Sequence, residues 1–311
     1  MKLVKTKYYI FIALVGIVAL ILGGIFDKQV SEALYANGNM QGFGVVISNL
    51  CLLPFFIVSF TAALIGLAVL IKDAQRYKTG FRVVFIIVLF AAFGFGIFQE
   101  YDKIKDLGEV AGKTGGIIIA IVCVILTIAL ACLIAYKMYK KYNHDYVLRL
   151  VLVFAAIMVV SLLFAVVLKY LWSRPRPRYI FGDVVISSHL AEYRNFWEPQ
   201  PFHAFKSDIG KEYFKSFPSN HVNSATMVIT GLMLYTKLNK KWDSDTTRLL
   251  LLIAGVLLAI LTGFNRITCG MHFLSDVAFG FILTFSVMYF GFLVCDKLNK
   301  RYHLIKEPQE E

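Results

Sequence analysis

Charge is scarce in this 311-residue chain: 17% of its residues are Asp, Glu, Lys or Arg, while 58% are hydrophobic. A soluble domain is about 45–50% apolar, so this composition excludes a water-exposed globular protein and places the chain in a membrane. Cysteine is sparse too. Of the five, Cys51, Cys123, Cys132 and Cys295 lie in or at apolar runs and only Cys269 lies in a polar stretch, which leaves no disulfide framework and no zinc spacing. Glycine-rich nucleotide loops are also lacking. Gly94 and Gly96 have no third glycine and no preceding strand, and three residues separate Gly108 from Gly112 where a P-loop needs four. The first pair suits close helix contact, and the second suits a flexible loop.

What the chain has in abundance is long apolar runs. Eight are present, at 8–26, 45–71, 83–98, 116–136, 150–168, 222–236, 249–264 and 277–295, against the ~20 residues that cross a hydrocarbon core. The shorter ones must extend into polar flanks or sit in a protein-shielded part of the bilayer. The first run is longer than the roughly 7–15 apolar residues of a signal peptide and is expected to remain as an anchor. The second contains Ser48, Asn49, Pro54, Ser59 and Thr61, which suggests a kinked helix packed through polar groups. The fold class that follows is all-α: a polytopic membrane helix bundle of about eight transmembrane helices.

Basic residues give the bundle its sidedness, because short cytoplasmic loops collect Lys and Arg. Lys2, Lys5 and Lys7 precede the first run; Lys72, Arg76, Lys78 and Arg82 follow the second; Lys137, Lys140, Lys141 and Arg149 lie between the fourth and fifth. Lys237, Lys240, Lys241 and Arg248 follow the sixth, and Lys297, Lys300, Arg301 and Lys306 follow the eighth. The intervening short loops hold Lys28, then Lys103, Lys105 and Lys113 balanced by Glu100, Asp102, Asp106 and Glu109, then Arg266 alone. Both termini are therefore expected in the cytoplasm. This topology, together with attraction to anionic headgroups, accounts for the net charge of +12 without a nucleic-acid partner.

Two outer stretches carry chemistry. The stretch from Asn265 to Asp276 holds Arg266, His272 and Asp276; a helix starting at Met271 would put His272 and Asp276 four apart on one face, so that the carboxylate reaches the ring. The segment from Lys169 to His221 is the only long hydrophilic one. It opens on Lys169, Arg174, Arg176 and Arg178, placed against the positive-inside trend and suited to an anionic ligand, since Arg binds phosphate oxygens through a planar fork. It closes on Phe217-Pro-Ser-Asn-His221, where Ser219 or Asn220 can cap a helix whose N-terminus favours an anion. Between them, Phe196, Trp197, Phe202 and Phe205 suit the membrane interface. Of the remaining histidines, His144 and His303 fall on the cytoplasmic side, and His189 and His203 on the outer side, with His203 the best placed for a substrate. The first two runs and the loop from Asp27 to Gly44 carry little reactive chemistry and are assigned to scaffolding.

Lys169, six residues, Arg176-Pro177; Pro218-Ser219-Asn220-His221; and Arg266, five residues, His272, three residues, Asp276 together resemble the three-part signature of the type 2 phosphatidic acid phosphatase superfamily, the membrane-integral lipid phosphate phosphatases. Two positions depart from it, Asn220 in place of the usual Gly and Asn265 in place of the usual Ser. The resemblance covers residues 83–311 as a six-helix core with the outer loop 169–221, and leaves residues 1–82 as two additional N-terminal helices.

The resemblance implies a metal-independent, cofactor-free hydrolase at the outer face of a membrane, in the bacterial case the plasma membrane. It implies that His272 attacks phosphorus to form a phosphohistidine, that Asp276 orients and polarises that ring, and that His221 protonates the leaving group. Lys169, Arg176, Ser219, Asn220 and Arg266 would hold the phosphoryl oxygens. The implied partner is a lipid phosphate or diphosphate in the bilayer, with undecaprenyl diphosphate, phosphatidic acid and phosphatidylglycerol phosphate as candidates. Independently of the family, phosphoryl transfer needs positioning and neutralised equatorial oxygens, which arginines, a lysine and a helix N-terminus supply. A lipid phosphotransferase and a non-catalytic membrane scaffold are the alternatives; the vanadium haloperoxidases share similar motifs but are soluble.

Overall fold

The computed structural model describes residues 5–35, 46–47, 49–73, 75, 78–104, 112–181, 192–206, 210–239 and 242–302. Of the residues named above, Lys2, Gly44, Ser48, Arg76, Lys105, Asp106, Gly108, Glu109, His189, Lys240, Lys241, His303 and Lys306 lie outside them. The described residues form helices and no strand. In chain order these are α1 (Thr6–Tyr35), α2 (Leu53–Lys72), α3 (Thr79–Ile104), α4 (Lys113–Lys141), α5 (His144–Trp172), the short α6 (Pro177–Phe181) and α7 (His203–Lys206), then α8 (Asn220–Leu238), α9 (Asp245–Thr268) and α10 (Leu274–Tyr302). A 3-10 turn, Lys211–Phe214, precedes α8.

Among the described residues, seven segments are long and apolar enough to cross a membrane, and they correspond to α1 to α5, α9 and α10. The expected run at 222–236 is α8, and it differs from the rest in being polar and enclosed. It packs on α2, α5, α9 and α10, and its His221, Asn223, Thr226, Thr230 and Thr236 are buried. Asn223, Thr226 and Thr236 are satisfied internally. The Ser161 hydroxyl of α5 bridges Asn223 Oδ1 at 2.9 Å and Thr284 Oγ1 of α10 at 3.1 Å, and the Thr226 hydroxyl donates to the Val222 carbonyl at 2.7 Å. A helix shielded by its neighbours has no lipid face to keep apolar. The outer helices show the converse: Phe11, Ile87, Leu126, Leu257 and Phe290 are each more than half exposed, in a band too extensive for a water-soluble surface. The fold is that of an all-α polytopic bundle and fits an integral membrane protein.

Three details depart from the sequence-based expectation. First, α1 extends to Tyr35; 30 residues span about 45 Å at about 1.5 Å each, more than the ~30 Å hydrocarbon core, so Asp27 lies on a helix and not in a loop. Second, Pro54 occupies the first turn of α2, where its missing N–H costs nothing, so it starts the helix instead of kinking it. Third, the polar stretch 265–276 is mostly helix: α9 runs through Thr268 and α10 begins at Leu274, leaving residues 269–273 as the connection. Of the small pair in α3, Gly96 lets Phe60 approach, since a Cβ would meet that ring at 2.5 Å, whereas Gly94 faces open space.

Packing carries α1 to the far end of the sequence. It lies along α10 and touches α9 and α6. A Cβ on Gly23 would sit 2.6 Å from the Ser275 backbone nitrogen, so the α1 backbone runs directly over the start of α10. A Cβ on Gly24 would meet the rings of Phe196 and Trp197 at 2.8 Å, which seats the aromatic outer segment on α1. The main apolar core lies further along the bundle, around Ile65, Leu70, Phe154, Met227, Leu252 and Met288.

Candidate active site

The three polar stretches meet where α5 ends, α8 begins and α9 turns into α10. Helix α5 stops at Ser173, whose backbone is left-handed at φ 41° and whose N–H caps the Lys169 carbonyl at 3.0 Å. Pro175 then keeps the helix from continuing, and Pro177 opens the short α6. The extended chain that follows is stitched to both other stretches. The Arg176 N–H donates to the Tyr213 carbonyl at 2.9 Å, the Ser216 N–H to the Arg174 carbonyl at 3.1 Å, and the Arg178 N–H to the Gly270 carbonyl at 2.8 Å. The Ser219 N–H donates to the Asp276 carbonyl at 3.1 Å. Two glycines make this possible: Gly270 turns the chain at φ 63°, and at Gly280 a Cβ would sit 2.8 Å from the Ser219 carbonyl oxygen.

His272 sits in the short connection ahead of α10 and is 3% exposed. Its Nδ1 lies 2.5 Å from the Ser216 carbonyl oxygen. A carbonyl can only accept, so Nδ1 carries the proton and Nε2 keeps its lone pair. Burial, and then the positive charges of Lys169, Arg266 and Arg176, hold the ring pKa well below its ordinary value of 6.5. The result is a neutral imidazole, with one defined nucleophilic nitrogen, among three cations.

Asp276 does not hydrogen-bond that ring. Its Oδ2 is 4.0 Å from His272 Nδ1, ion-pair range and no closer. Instead Oδ2 accepts the Ser216 hydroxyl at 2.5 Å and the Phe273 N–H at 2.8 Å, and Oδ1 accepts Arg174 Nη1 at 2.6 Å. The Phe273 bond is half of a capping box, since Asp276 is the third residue of α10 and reaches back to the backbone that starts it. The direct contact expected from helical spacing fails because His272 precedes the helix, so the four-residue separation does not put both on one face.

The other predicted residues line the same end. Lys169 is 8% exposed, and its Nζ donates to the carbonyls of Lys215 at 2.8 Å and Pro218 at 2.9 Å, which leaves one of three protons for another acceptor. Arg176 is lightly held, with Nη1 on the Met271 sulfur at 3.3 Å, Nη2 at 3.5 Å from the exposed Glu212, and a buried Nε without a partner among the described residues. Ser219 is the N-cap of α8, yet its hydroxyl makes no capping bond; that oxygen and Asn220 Oδ1 are buried without partners among the described residues. Buried polar atoms are nearly always satisfied, so these two have bonding capacity that the described residues do not use. His221 is the second residue of α8 and 9% exposed. Arg266 is buried in the last turn of α9, and its carbonyl accepts the Met271 N–H at 3.1 Å. Asn265, beside it, donates Nδ2 to the Leu261 carbonyl at 2.7 Å inside its own helix.

Sequence reasoning missed two participants and misassigned a third. Ser216 supplies both the carbonyl for His272 and the hydroxyl for Asp276, and nothing in the sequence marks it apart from its place three residues ahead of Ser219. Asp27 lies in α1, and its 147-residue separation from its partner carries no pattern. Arg174 was grouped with the anion ligands but is 2% exposed and occupied by Asp27 and Asp276. Arg178 also points elsewhere, donating to the Tyr179 hydroxyl. His203 packs edge-on against Phe214 at 4.9 Å, and His144 pairs with Asp73 at 2.7 Å at the opposite end of α5.

A family model described as the PAP2 superfamily matches residues 149–300, from early α5 through nearly all of α10. That segment belongs to the PAP2 superfamily. It contains all eight residues singled out for the site, and at the coarse level the PAP2 family is one of phosphatases. Asp27 and the whole of α1 lie outside the PAP2 match. No curated protein and no solved structure matches the chain.

Proposed function

We propose that the protein is an integral-membrane lipid phosphate or diphosphate phosphatase working through a phosphohistidine on His272. The observation that carries this reading is the Ser216 carbonyl on Nδ1, because it leaves Nε2 unprotonated beside Lys169, Arg176 and Arg266. In the reaction, the Nε2 lone pair attacks phosphorus, the P–O bond to the lipid breaks, and His221 gives its proton to the departing oxygen. Water then attacks the phosphohistidine, with the now neutral His221 taking its proton, and free phosphate leaves while His272 is restored. Lys169, Arg176, Arg266, the Ser219 hydroxyl and Asn220 neutralise or hold the equatorial oxygens. Asn220 brings an amide where the PAP2 pattern has Gly, and its Nδ2 can donate to a phosphoryl oxygen.

A lipid substrate is favoured by an apolar groove of about 480 Å³ between α1, α8, α9 and α10, walled by Phe11, Val15, Ile260 and Phe281. Ile267, which adjoins Arg266, and Leu274, two residues from His272, also line it. A hydrocarbon tail in the groove would leave the phosphate at the site. The charge pattern of the loops supports an outward-facing site, with both termini inside.

The test is phosphate release by purified protein from lipid phosphates and diphosphates of differing chain length, with and without chelator, together with rapid-quench trapping of acid-labile phosphoprotein. Wild-type protein should release phosphate equally with chelator, favour long chains, and trap phosphate that His272→Ala cannot. Wild-type turnover by His272→Ala would remove the assigned nucleophile. Transfer of phosphate to a hydroxyl acceptor with no free phosphate would make the protein a phosphotransferase instead.

A further inference from the structure

Behind the site lies a buried charge relay that the proposed chemistry does not itself use. Arg174 is enclosed: Nη2 donates to Asp27 Oδ2 at 2.9 Å, Nη1 to Asp276 Oδ1 at 2.6 Å and to Ser275 Oγ at 2.8 Å, and Nε to the Arg194 carbonyl at 2.9 Å. The Phe273 ring covers one face of the guanidinium at 4.0 Å. Asp27 is fully buried and grips the start of α10 twice, accepting the Ser275 N–H at 2.9 Å and the Ser275 hydroxyl.

These bonds form one line. Asp27 holds Arg174, Arg174 holds Asp276 Oδ1, Asp276 Oδ2 holds the Ser216 hydroxyl, and the Ser216 carbonyl holds His272 Nδ1–H. One arginine between two carboxylates is under-neutralised without the cations of the site, and each carboxylate fixes which arginine proton serves the other. Removing one member of a buried charged set leaves the remainder uncompensated, so the rest must rearrange.

We propose that Asp27, on a helix outside the PAP2 match, is a positioning residue for the reaction: it aims Arg174 at Asp276 and thereby sets Ser216 and the His272 ring. The inference rests on His272 being the nucleophile. It makes α1 part of the catalytic apparatus, and it explains why the α1 backbone approaches Ser275 so closely at Gly23. The arginine that sequence placed among the phosphate ligands serves the relay.

The experiment compares full-length wild type, Asp27→Asn, Asp27→Glu, Arg174→Gln, the Asp27→Asn/Arg174→Gln double variant and His272→Ala in detergent. Its readouts are kcat, KM, the rate of phosphoprotein formation, melting temperature, and the ring ¹⁵N shifts of His272. Asp27→Asn should lower kcat and phosphoprotein formation together by about 10- to 100-fold, as small misplacements of reacting groups do. KM should change little, and the His272 Nδ1–H signal should shift. Asp27→Glu should recover part of the rate, and the double variant should be no slower than Arg174→Gln alone, because both act on one line.

If His272→Ala is inactive but folded Asp27→Asn keeps wild-type kcat and an unshifted His272 signal, Asp27 is only an anchor for α1 and the inference is overturned. Losses in the two single variants that multiply in the double would overturn it as well. If His272→Ala keeps activity, the nucleophile assignment itself fails, an outcome read independently of any Asp27 variant.

Discussion

At the residue scale, the decisive feature is a backbone carbonyl. Ser216 O fixes the tautomer of His272, and burial with three neighbouring cations keeps the ring neutral. The native state thus binds this proton more weakly than the unfolded chain, whose histidines titrate near 6.5. The contribution to stability is therefore present above about 6.5 and is lost as pH falls through the lower folded value. Histidine ¹⁵N NMR should show one ring still neutral and protonated at Nδ1 at pH 6, a signal missing from His272→Ala. A ring titrating at its ordinary value would contradict the site electrostatics. Asn265 illustrates the opposite case. It departs from the family pattern, yet its amide is spent on Leu261 in the same helix, so its identity bears on α9 before it bears on phosphate.

At the scale of elements, the contact between α1 and α10 is where packing and site geometry are joined. Replacing glycine in a helix gains up to about 1 kcal/mol in propensity, but at Gly23 the added Cβ meets backbone, which no rotamer change relieves. Gly23→Val should therefore lose about 1–3 kcal/mol through overpacking, lower the melting temperature in detergent, and reduce kcat because Ser275 and Asp27 are displaced. Gly94→Ala, which enters open space, should leave melting temperature unchanged or raised. Equal effects at the two positions would show that the close approach at Gly23 is not a constraint. The enclosure of α8 belongs to this scale too: its polar residues could not face lipid, and Asn223 among them is met by Ser161 of α5, which also donates to Thr284 of α10.

At the scale of the whole molecule, the apolar outer band fits an integral membrane protein, and the basic residues of the loops support the orientation proposed above. Trp197, Phe202 and Phe205 are each about half exposed on the outer segment that rests on α1, a placement suited to headgroups. A cysteine introduced as Trp197→Cys in a background with the native cysteines replaced should react with a membrane-impermeant maleimide added outside intact cells. A cysteine at Lys78, at the opposite end, should react only after permeabilisation. The reverse pattern would invert the assigned face.

The sequence by itself determined the membrane class and the helical fold, and it singled out the residues proposed for the phosphate site. Hydropathy and charge are summed along the chain, and motif spacing survives in one dimension. It also located α8 through its apolar run, although the hydropathy there is weakest because that helix is solvated by protein. Tertiary structure alone decided what stands behind His272. The ring is held by Ser216, 56 residues away, and Asp27 reaches Arg174 across 147 residues. Such contacts have no period and no composition, so only the folded packing of α1 on α10 brings them into being. The same packing moved Arg174 from ligand to support, because whether a buried cation meets substrate or carboxylate depends on which acceptors the fold places within hydrogen-bond reach.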